Sequence, residues 1–230
     1  MKKKIVVFTG AGISKESGVE TFRDTDGLWE NHKVEDIADI KAWDKNKELM
    51  IEFYNARRKQ LPTVEPNEAH RQLVRLEEKY DVSIVTQNVD DLHERAGSKK
   101  VLHLHGQLTK AKSSSGKDNT SKHIGYEDIK IGDLCEDGFQ MRPDIVWFGE
   151  LVPMIHTAQV LAYDSDIFIV IGTSLVVYPA AGILGVTKSE TPIYVVNPNG
   201  VPLQGRKKYT TFIKEVATKG TKELVDKLMA

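Results

Sequence analysis

Lys4-Ile-Val-Val-Phe-Thr-Gly-Ala-Gly-Ile-Ser14 opens the chain and runs on to Ser17-Gly-Val-Glu-Thr-Phe-Arg23. The apolar run Ile5 to Phe8 stops at Gly10-Ala11-Gly12, the pattern of a buried strand entering a tight turn. Glycine lets a backbone approach a ligand closely, and a helix N-terminus just beyond offers free N–H groups to a phosphate. The stretch therefore predicts a strand, a glycine loop and a helix around a nucleotide pyrophosphate. It departs from the dinucleotide fingerprint G-x-G-x-x-G, because Lys15 stands at the third glycine and the next glycine is Gly18. A tight turn with no ligand would satisfy the glycines equally. Phe22 and Arg23, just after the loop, read either as ligand contacts or as a half-buried loop anchor.

Beyond this unit, short apolar runs alternate with helical patterns. Asp44 to Leu61 is helical in composition and is followed by Pro62 and Pro66. Asn67 suits the N-cap of a second helix, with Ala69, Leu73, Leu76 and Tyr80 on one face. Strands are expected at Val82 to Val85, Val101 to Leu104, Asp144 to Phe148, Ile167 to Ile171, Ile193 to Val196 and Thr211 to Ile213. Further helices are expected at Leu92 to Ala96, closed by Gly97, and near Thr157 to Tyr163, Ala180 to Val186 and Thr221 to Met229. From Thr109 to about Met141 the sequence is polar and structurally weak, and reads as an insertion or flap. The fold class is α/β, a Rossmann-like parallel sheet with helices on both faces and a small inserted module.

The 230 residues suffice for one large domain with a sizeable core. A net charge of -1 points to neither nucleic acid nor a polybasic membrane surface. One cysteine, Cys135, excludes an intrachain disulfide and fits a reducing, cytoplasmic setting. Met1 to Lys4 before Ile5 to Phe8 mimics a signal peptide, but the apolar run is too short and lacks a cleavage site.

One regularity carries the functional argument. Strand after strand ends in a polar or glycine-bearing loop: Thr9-Gly10, Thr86-Gln87-Asn88, His105-Gly106, Gly172-Thr173-Ser174 and Asn197. In an open parallel sheet the carboxyl ends share one edge, where ligands bind, so these groups should meet in one cleft. Gln87-Asn88-Val89-Asp90 sets an amide and a carboxylate close together, suited to a primary amide and a ribose hydroxyl or, alternatively, to a self-bonded Asx turn. His105 should reach the cleft and reads either as a general base or as a satisfied structural histidine, its place beside the other loops favouring the base, whereas His103, one pleat back, reads better as a structural histidine. Tyr54 and Arg57 share a helix face and could grip a carboxylate, although Arg58 and Lys59 beside them would equally make a solvated basic face. His123 and Cys135 supply two metal ligands at most, so no zinc is expected.

Jointly, Gly10-Ala-Gly-Ile-Ser14 with Ser17-Gly18 and Phe22-Arg23, Thr86-Gln-Asn-Val-Asp90, Leu104-His-Gly106, Arg142-Pro-Asp-Ile-Val-Trp-Phe-Gly-Glu150, Gly172-Thr-Ser174 and Val196-Asn197 resemble the sirtuins, NAD-dependent protein-lysine deacylases. The motifs follow the family's order over nearly the whole chain. The resemblance implies a single catalytic domain, with a Rossmann-like part over about 1–30, 67–108 and 143–230 and insertions at about 31–66 and 109–142. It implies NAD as co-substrate, contacted by Gly10, Ala11, Gly12, Ile13, Ser14, Phe22, Arg23 and Trp29 around the pyrophosphate and nicotinamide side. Gln87, Asn88, Val89 and Asp90 would serve the nicotinamide and its ribose, and Gly172, Thr173, Ser174, Asn197 and Ala217 the adenosine half. By the same resemblance the acyl-lysine oxygen attacks C1′ of the nicotinamide ribose and expels nicotinamide. His105 then takes a proton from a ribose hydroxyl, which attacks the imidate, giving free lysine and O-acyl-ADP-ribose; Asn88 and Asp90 complete the catalytic set. Val146, Trp147, Phe148, Gly149 and Glu150 resemble the strand to which an acylated peptide adds in extended form.

Tyr54-Asn-Ala-Arg57 resembles the Tyr-x-x-Arg pair of the sirtuins that remove succinyl, malonyl and glutaryl groups, with acetyl still able to fit. The four zinc cysteines usual between the histidine and Arg142-Pro143 are missing, so that interval either folds on Ile124, Tyr126, Ile129, Ile131, Leu134 and Phe139 or is loose. Glu20 stands where proline is usual and Val89 where isoleucine is. Three other functions compete: mono-ADP-ribosyl transfer from NAD, a non-catalytic NAD or acyl-peptide binding module, and a hydride-transferring dehydrogenase. The intact His105, Asn88 and Asp90 argue against the second, and the imperfect glycine fingerprint argues against the third.

Overall fold

The computed structural model describes residues 2–19, 28–29, 32–117, 120–203, 205 and 207–230. In chain order the strands are β1 (Lys4–Thr9), β2 (Leu28–Trp29), β3 (His32–Lys33), β4 (Asp81–Thr86), β5 (Val101–His103), β6 (Gly106–Ser113), β7 (Lys122–His123), β8 (Met141–Ile145), β9 (Ile167–Ile171), β10 (Ile193–Val196) and β11 (Thr210–Ile213). The helices are α1 (Val34–Ile37), α2 (Trp43–Gln60), α3 (Glu68–Leu76), α4 (Leu92–Ala96), α5 (Ile155–Asp164) and α6 (Ala217–Met229).

Six strands form one sheet in the order β11-β10-β9-β1-β4-β5, with every neighbouring pair parallel. Counted along the chain this is the doubly wound order 3-2-1-4-5-6, whose direction reverses between β1 and β9. The strands can be apolar throughout because both faces are covered. Val6, Phe8, Phe168 and Val170 pack on one side with Ala158 and Ala162 of α5. Ile5, Val7, Ile169 and Ile171 pack on the other with Leu73 of α3 and Leu224 of α6. Register brings the strand ends level: Thr9 lies beside Thr86 and Ile171, Thr86 beside His103, and Ile171 beside Val196. That alignment puts the loops after these strands along a single edge.

At the reversal point the two glycine loops touch. Gly12 N donates to Gly172 O at 2.8 Å, and Gly10 N to Ile171 O at 3.1 Å. A Cβ on Gly12 would stand 2.8 Å from Gly172 Cα, closer than packed carbons approach. Gly172 itself has φ 62, the left-handed region where glycine is strain-free. The expected helix after Gly12 does not form. Two 3-10 turns, Ala11–Ile13 and Lys15–Ser17, end at Gly18 with φ 94. The left-handed turn at Gly18 closes the segment, and Asn67 pins it to α3. Asn67 caps α3 by accepting from Ala69 N at 2.9 Å, while its Nδ2 donates to Ile13 O at 2.8 Å and Ser17 Oγ at 3.0 Å.

The stretch from Thr109 to Met141 also departs from the expected weak flap. β6 pairs antiparallel with β7 and β8 to make a second sheet, and α2 packs against it through Met50, Phe53, Leu108, Ala111, Ile129 and Ile145. Of the expected apolar set, Ile129 is buried in this cluster and Ile124 packs against it, whereas Tyr126, Ile131, Leu134 and Phe139 are exposed. Polar pins from α2 add to the apolar packing. Asn55 Nδ2 donates to Ile129 O at 2.8 Å while its Oδ1 accepts from Ile129 N at 3.0 Å, and Arg58 Nε donates to Leu108 O at 2.6 Å.

Smaller differences follow local chemistry. β8 spans Met141–Ile145 rather than reaching Phe148, because Gly149 (φ 86) and the Glu150 carboxylate turn the chain. Residues Ala180–Val186 are a 3-10 helix, and α6 begins at Ala217, four residues before the expected start. Among the described residues no helix is long and apolar enough to cross a membrane, and no group of three or more His, Cys, Asp or Glu side chains could hold a metal ion.

Candidate active site

The aligned strand ends wall a cavity of about 690 Å³. Gly10, Ala11, Gly12 and Ser14 enter it from the loop after β1; Gln87, Asn88, Val89 and Asp90 from the loop after β4; and His105 from the turn after β5. Gly172, Thr173 and Ser174 follow β9, Asn197 follows β10, and Ala217 heads α6. Tyr54 and Arg57 reach the same cavity from α2, as do Val146, Trp147, Phe148, Gly149 and Glu150 from the segment after β8. Ile13 is the exception. Its side chain lies wholly in the core and its N–H is given to Gly10 O, so its contribution is to the shape of the loop. Phe22, Arg23 and Glu20 lie outside the described residues, and the Trp29 side chain does too.

The loops hold one another in place. Gln87 Nε2 donates to Thr173 Oγ1 at 2.8 Å, and Asn197 Nδ2 donates to Thr173 O at 2.9 Å. Asn88 Nδ2 donates to Ser14 Oγ at 3.1 Å, and Ser14 Oγ donates to Asp90 Oδ2 at 2.9 Å. Asp90 Oδ1 accepts from Leu92 N at 3.1 Å, the first residue of α4. Burial raises the Asp90 carboxyl above its usual range, with these hydrogen bonds and the His103 charge acting in the opposite sense. Fixed amide and carboxyl groups of this kind suit a ligand carrying an amide and hydroxyls.

His105 Nδ1 lies 3.1 Å from Gln87 O. Because a carbonyl only accepts, Nδ1 carries the proton and Nε2 keeps its lone pair. Burial lowers the His105 pKa, and the bond to Gln87 offsets this only in part, so the ring is neutral and basic near neutrality. The turn that presents it is tight. Gly106 has φ 82, and a Cβ there would collide with the Asp144 carbonyl oxygen. Val146 N donates to His105 O at 2.9 Å, tying the turn to the segment after β8.

Tyr54 is wholly buried and accepts from Trp147 Nε1 at 3.0 Å. Burial raises its phenol well above the ordinary value, so it stays a neutral hydrogen-bond donor. The Trp147 ring lies 3.4 Å from the Arg142 guanidinium carbon, and Arg142 grips Glu150 through two nitrogens, each at 2.9 Å. Glu150 Oε2 also accepts from Trp147 N at 2.8 Å. Glu150 therefore serves as an internal brace of the 146–150 segment as well as a cavity wall. Lys15, Ala38, Tyr178 and Asn199 line the cavity too. Asn199 was discoverable from its place two residues after Asn197 in a strand-end loop, whereas Ala38 has no chemical signature that could have marked it.

The cradle fits a dinucleotide. Two glycine loops meet without side chains between them, and polar groups and the His105 imidazole line the same cavity. Comparison with known proteins agrees. Residues 10–179 match the model of the Sir2 family. The chain is 50% identical over 196 residues to an NAD-dependent protein deacylase of Helicobacter pylori, covering 85% of each. It is 47% identical over 232 residues to one of Bacteroides thetaiotaomicron, covering 98% of this chain and 96% of that protein. A crystal structure of a Sir2 homologue in complex with NAD superposes with a TM-score of 0.85 at 37% identity, over 99% of this chain and 90% of the other. On sequence, topology and the arrangement of its strand-end loops, the chain belongs to the Sir2 family.

Proposed function

We infer that this Sir2-family chain is an NAD-dependent protein-lysine deacylase, and we propose that it acts best on acyl groups ending in a carboxylate, succinyl, malonyl or glutaryl, with acetyl also accepted. The observation that carries the acyl preference is the entry of Tyr54 and Arg57 from one face of α2 into the cavity that also holds His105. A neutral phenol beside a guanidinium gives a carboxylate one donor and one charged fork. The relatives named above support the NAD-dependent chemistry.

In this reading NAD supplies an electrophilic ribose C1′ with nicotinamide as leaving group. The backbone at Gly10 to Gly12 receives the pyrophosphate, and Gly172 to Ser174, Asn197 and Ala217 receive the adenosine half. Phe22, Arg23 and Trp29 are assigned to the same co-substrate on sequence. Asn88 and Asp90 hold the carboxamide and ribose at the other end. The His105 Nε2 lone pair takes the proton of a ribose hydroxyl once the acyl oxygen has bonded to C1′. The 146–150 segment receives the peptide in extended form. The chain acts as one catalytic domain with its two insertions, and the single cysteine suits work in the cytoplasm.

The test is product analysis. With NAD and an acyl-lysine peptide, nicotinamide and O-acyl-ADP-ribose should appear in amounts equal to the acyl groups lost. A peptide that keeps its acyl group and gains ADP-ribose would replace this reading with mono-ADP-ribosyl transfer.

A further inference from the structure

Two histidines, two residues apart, hold two consecutive carbonyls. His105 takes Gln87 O, and His103 Nδ1 stands 2.9 Å from Asn88 O. The carbonyl only accepts, so His103 Nδ1 carries a proton. The other nitrogen, Nε2, stands 2.7 Å from Glu94 Oε1 in α4. Burial pushes the Glu94 carboxyl up, but the hydrogen bond and charge of His103 outweigh it and leave the group below the usual carboxylate range. His103 thus bridges a main-chain carbonyl and a side-chain carboxyl group, with its side chain only 4% exposed.

His103 lines a second cavity of about 370 Å³ between α4 and the small sheet. The loop after β4 brings Asp90 and Asp91 to it, α4 brings Glu94 and Arg95, and β7 brings His123, which is exposed. Lys110 of β6 acts on Glu94, and His93 of α4 is kept neutral by burial. Asp90 is common to both cavities, and so forms the wall between His103 and the candidate active site.

We propose that His103, paired with Glu94, is a positioning residue for deacylation: bridging α4 to the Asn88 carbonyl, it fixes the loop after β4. It lines the second cavity and acts through its neighbours. The proposal rests on the reading that Asn88 and Asp90 face the nicotinamide half of NAD.

Glu94→Ala tests it, because the ring then loses its acceptor in α4 and its hold on the Asn88 carbonyl is left unbraced. kcat/KM for NAD should fall about tenfold, equivalent to ~1.4 kcal/mol, and Glu94→Gln, whose amide oxygen still accepts from the ring, should recover most of it. KM for the acylated peptide should not change. His103→Gln should lower kcat/KM for NAD and weaken nicotinamide inhibition. An equal loss for NAD and peptide in Glu94→Ala, tracking a lower Tm, would reduce the pair to a structural role and overturn the proposal, as would no change for either. Asn88→Ala separates the two readings. If it weakens NAD use while Glu94→Ala changes nothing, the positioning proposal alone fails. If it changes neither NAD use nor nicotinamide inhibition, the reading of the loop fails and the proposal falls with it.

Discussion

His105 donates its Nδ1 proton to the main-chain oxygen of Gln87, 3.1 Å away, and this one bond decides which nitrogen can act as base. The acceptor belongs to the loop that also carries Asn88 and Asp90, so the tautomer and the proposed co-substrate contacts are set by the same few atoms. His105→Ala should lower kcat by roughly 10²–10⁴, the usual worth of a general base, with circular dichroism unchanged. Burial lowers the His105 pKa, and the active form is the neutral ring. Activity should therefore rise with pH through a point below the ordinary value of about 6.5 and be flat by neutrality. An acid limb centred above that value in kcat/KM would contradict the assignment.

The contact between Gly12 and Gly172 leaves no room for a side chain. Gly12→Ala should cost roughly 1–3 kcal/mol by forcing the two loops apart. With the pyrophosphate placed on those loops as proposed, KM for NAD should rise more than KM for the peptide. Denaturant midpoints and a two-substrate kinetic analysis would show both effects.

Asn55 ties the small module to α2 through both backbone groups of Ile129. Asn55→Ala would leave those two buried groups without their partner, at about 1–3 kcal/mol. The loss should be local. Hydrogen exchange should quicken first around residues 120–140, while amides of β1 and β9 keep their protection.

Two further histidines sit in the core. His70 caps α3, accepting from Asn67 N at 3.3 Å, and its ring meets that of His93 at 4.9 Å. Burial lowers both, His70 to about 4 and His93 well below its ordinary value. Depressed folded-state pKa values mean that the unfolded chain binds more protons as pH falls below about 6.5. Stability should be full above that point and fall towards pH 4 by on the order of 1 kcal/mol per pH unit for each histidine. His70→Gln, which keeps a side-chain acceptor for the cap, should flatten the slope of Tm against pH between 6.5 and 4. An unchanged slope would show that His70 does not carry it.

Most of the sheet is legible in the sequence because parallel strands buried on both faces are apolar without interruption. Ile167 to Ile171 and Ile193 to Val196 are bounded by turn residues and match β9 and β10 end for end. The helix Leu92 to Ala96 is equally plain, stopped by Gly97 at φ 107. β6 and β7 are not legible, since one face of their sheet is polar and their pairing is set by β8, about thirty residues on. The pinning of the segment after Gly12 by Asn67, more than fifty residues away, is something no local pattern reveals. The strand-end loops of the site are readable because parallel topology dictates where they meet. Trp147 and Glu150 are readable only as members of a motif, because their mutual bracing through Arg142 exists only in the fold. The bridge that His103 makes is likewise hidden until Glu94 is seen beside it.

The most direct measurement pairs matched acetyl-lysine and succinyl-lysine peptides with NAD, for wild type and Arg57→Met, following products by mass. NAD-dependent removal of both acyl groups, with succinyl strongly preferred in wild type and that preference lost in Arg57→Met while acetyl turnover survives, is the expected result. Equal turnover of the two peptides by wild type would contradict the carboxylate grip at Tyr54 and Arg57, and no NAD-dependent turnover of either by the folded protein would contradict the deacylase itself.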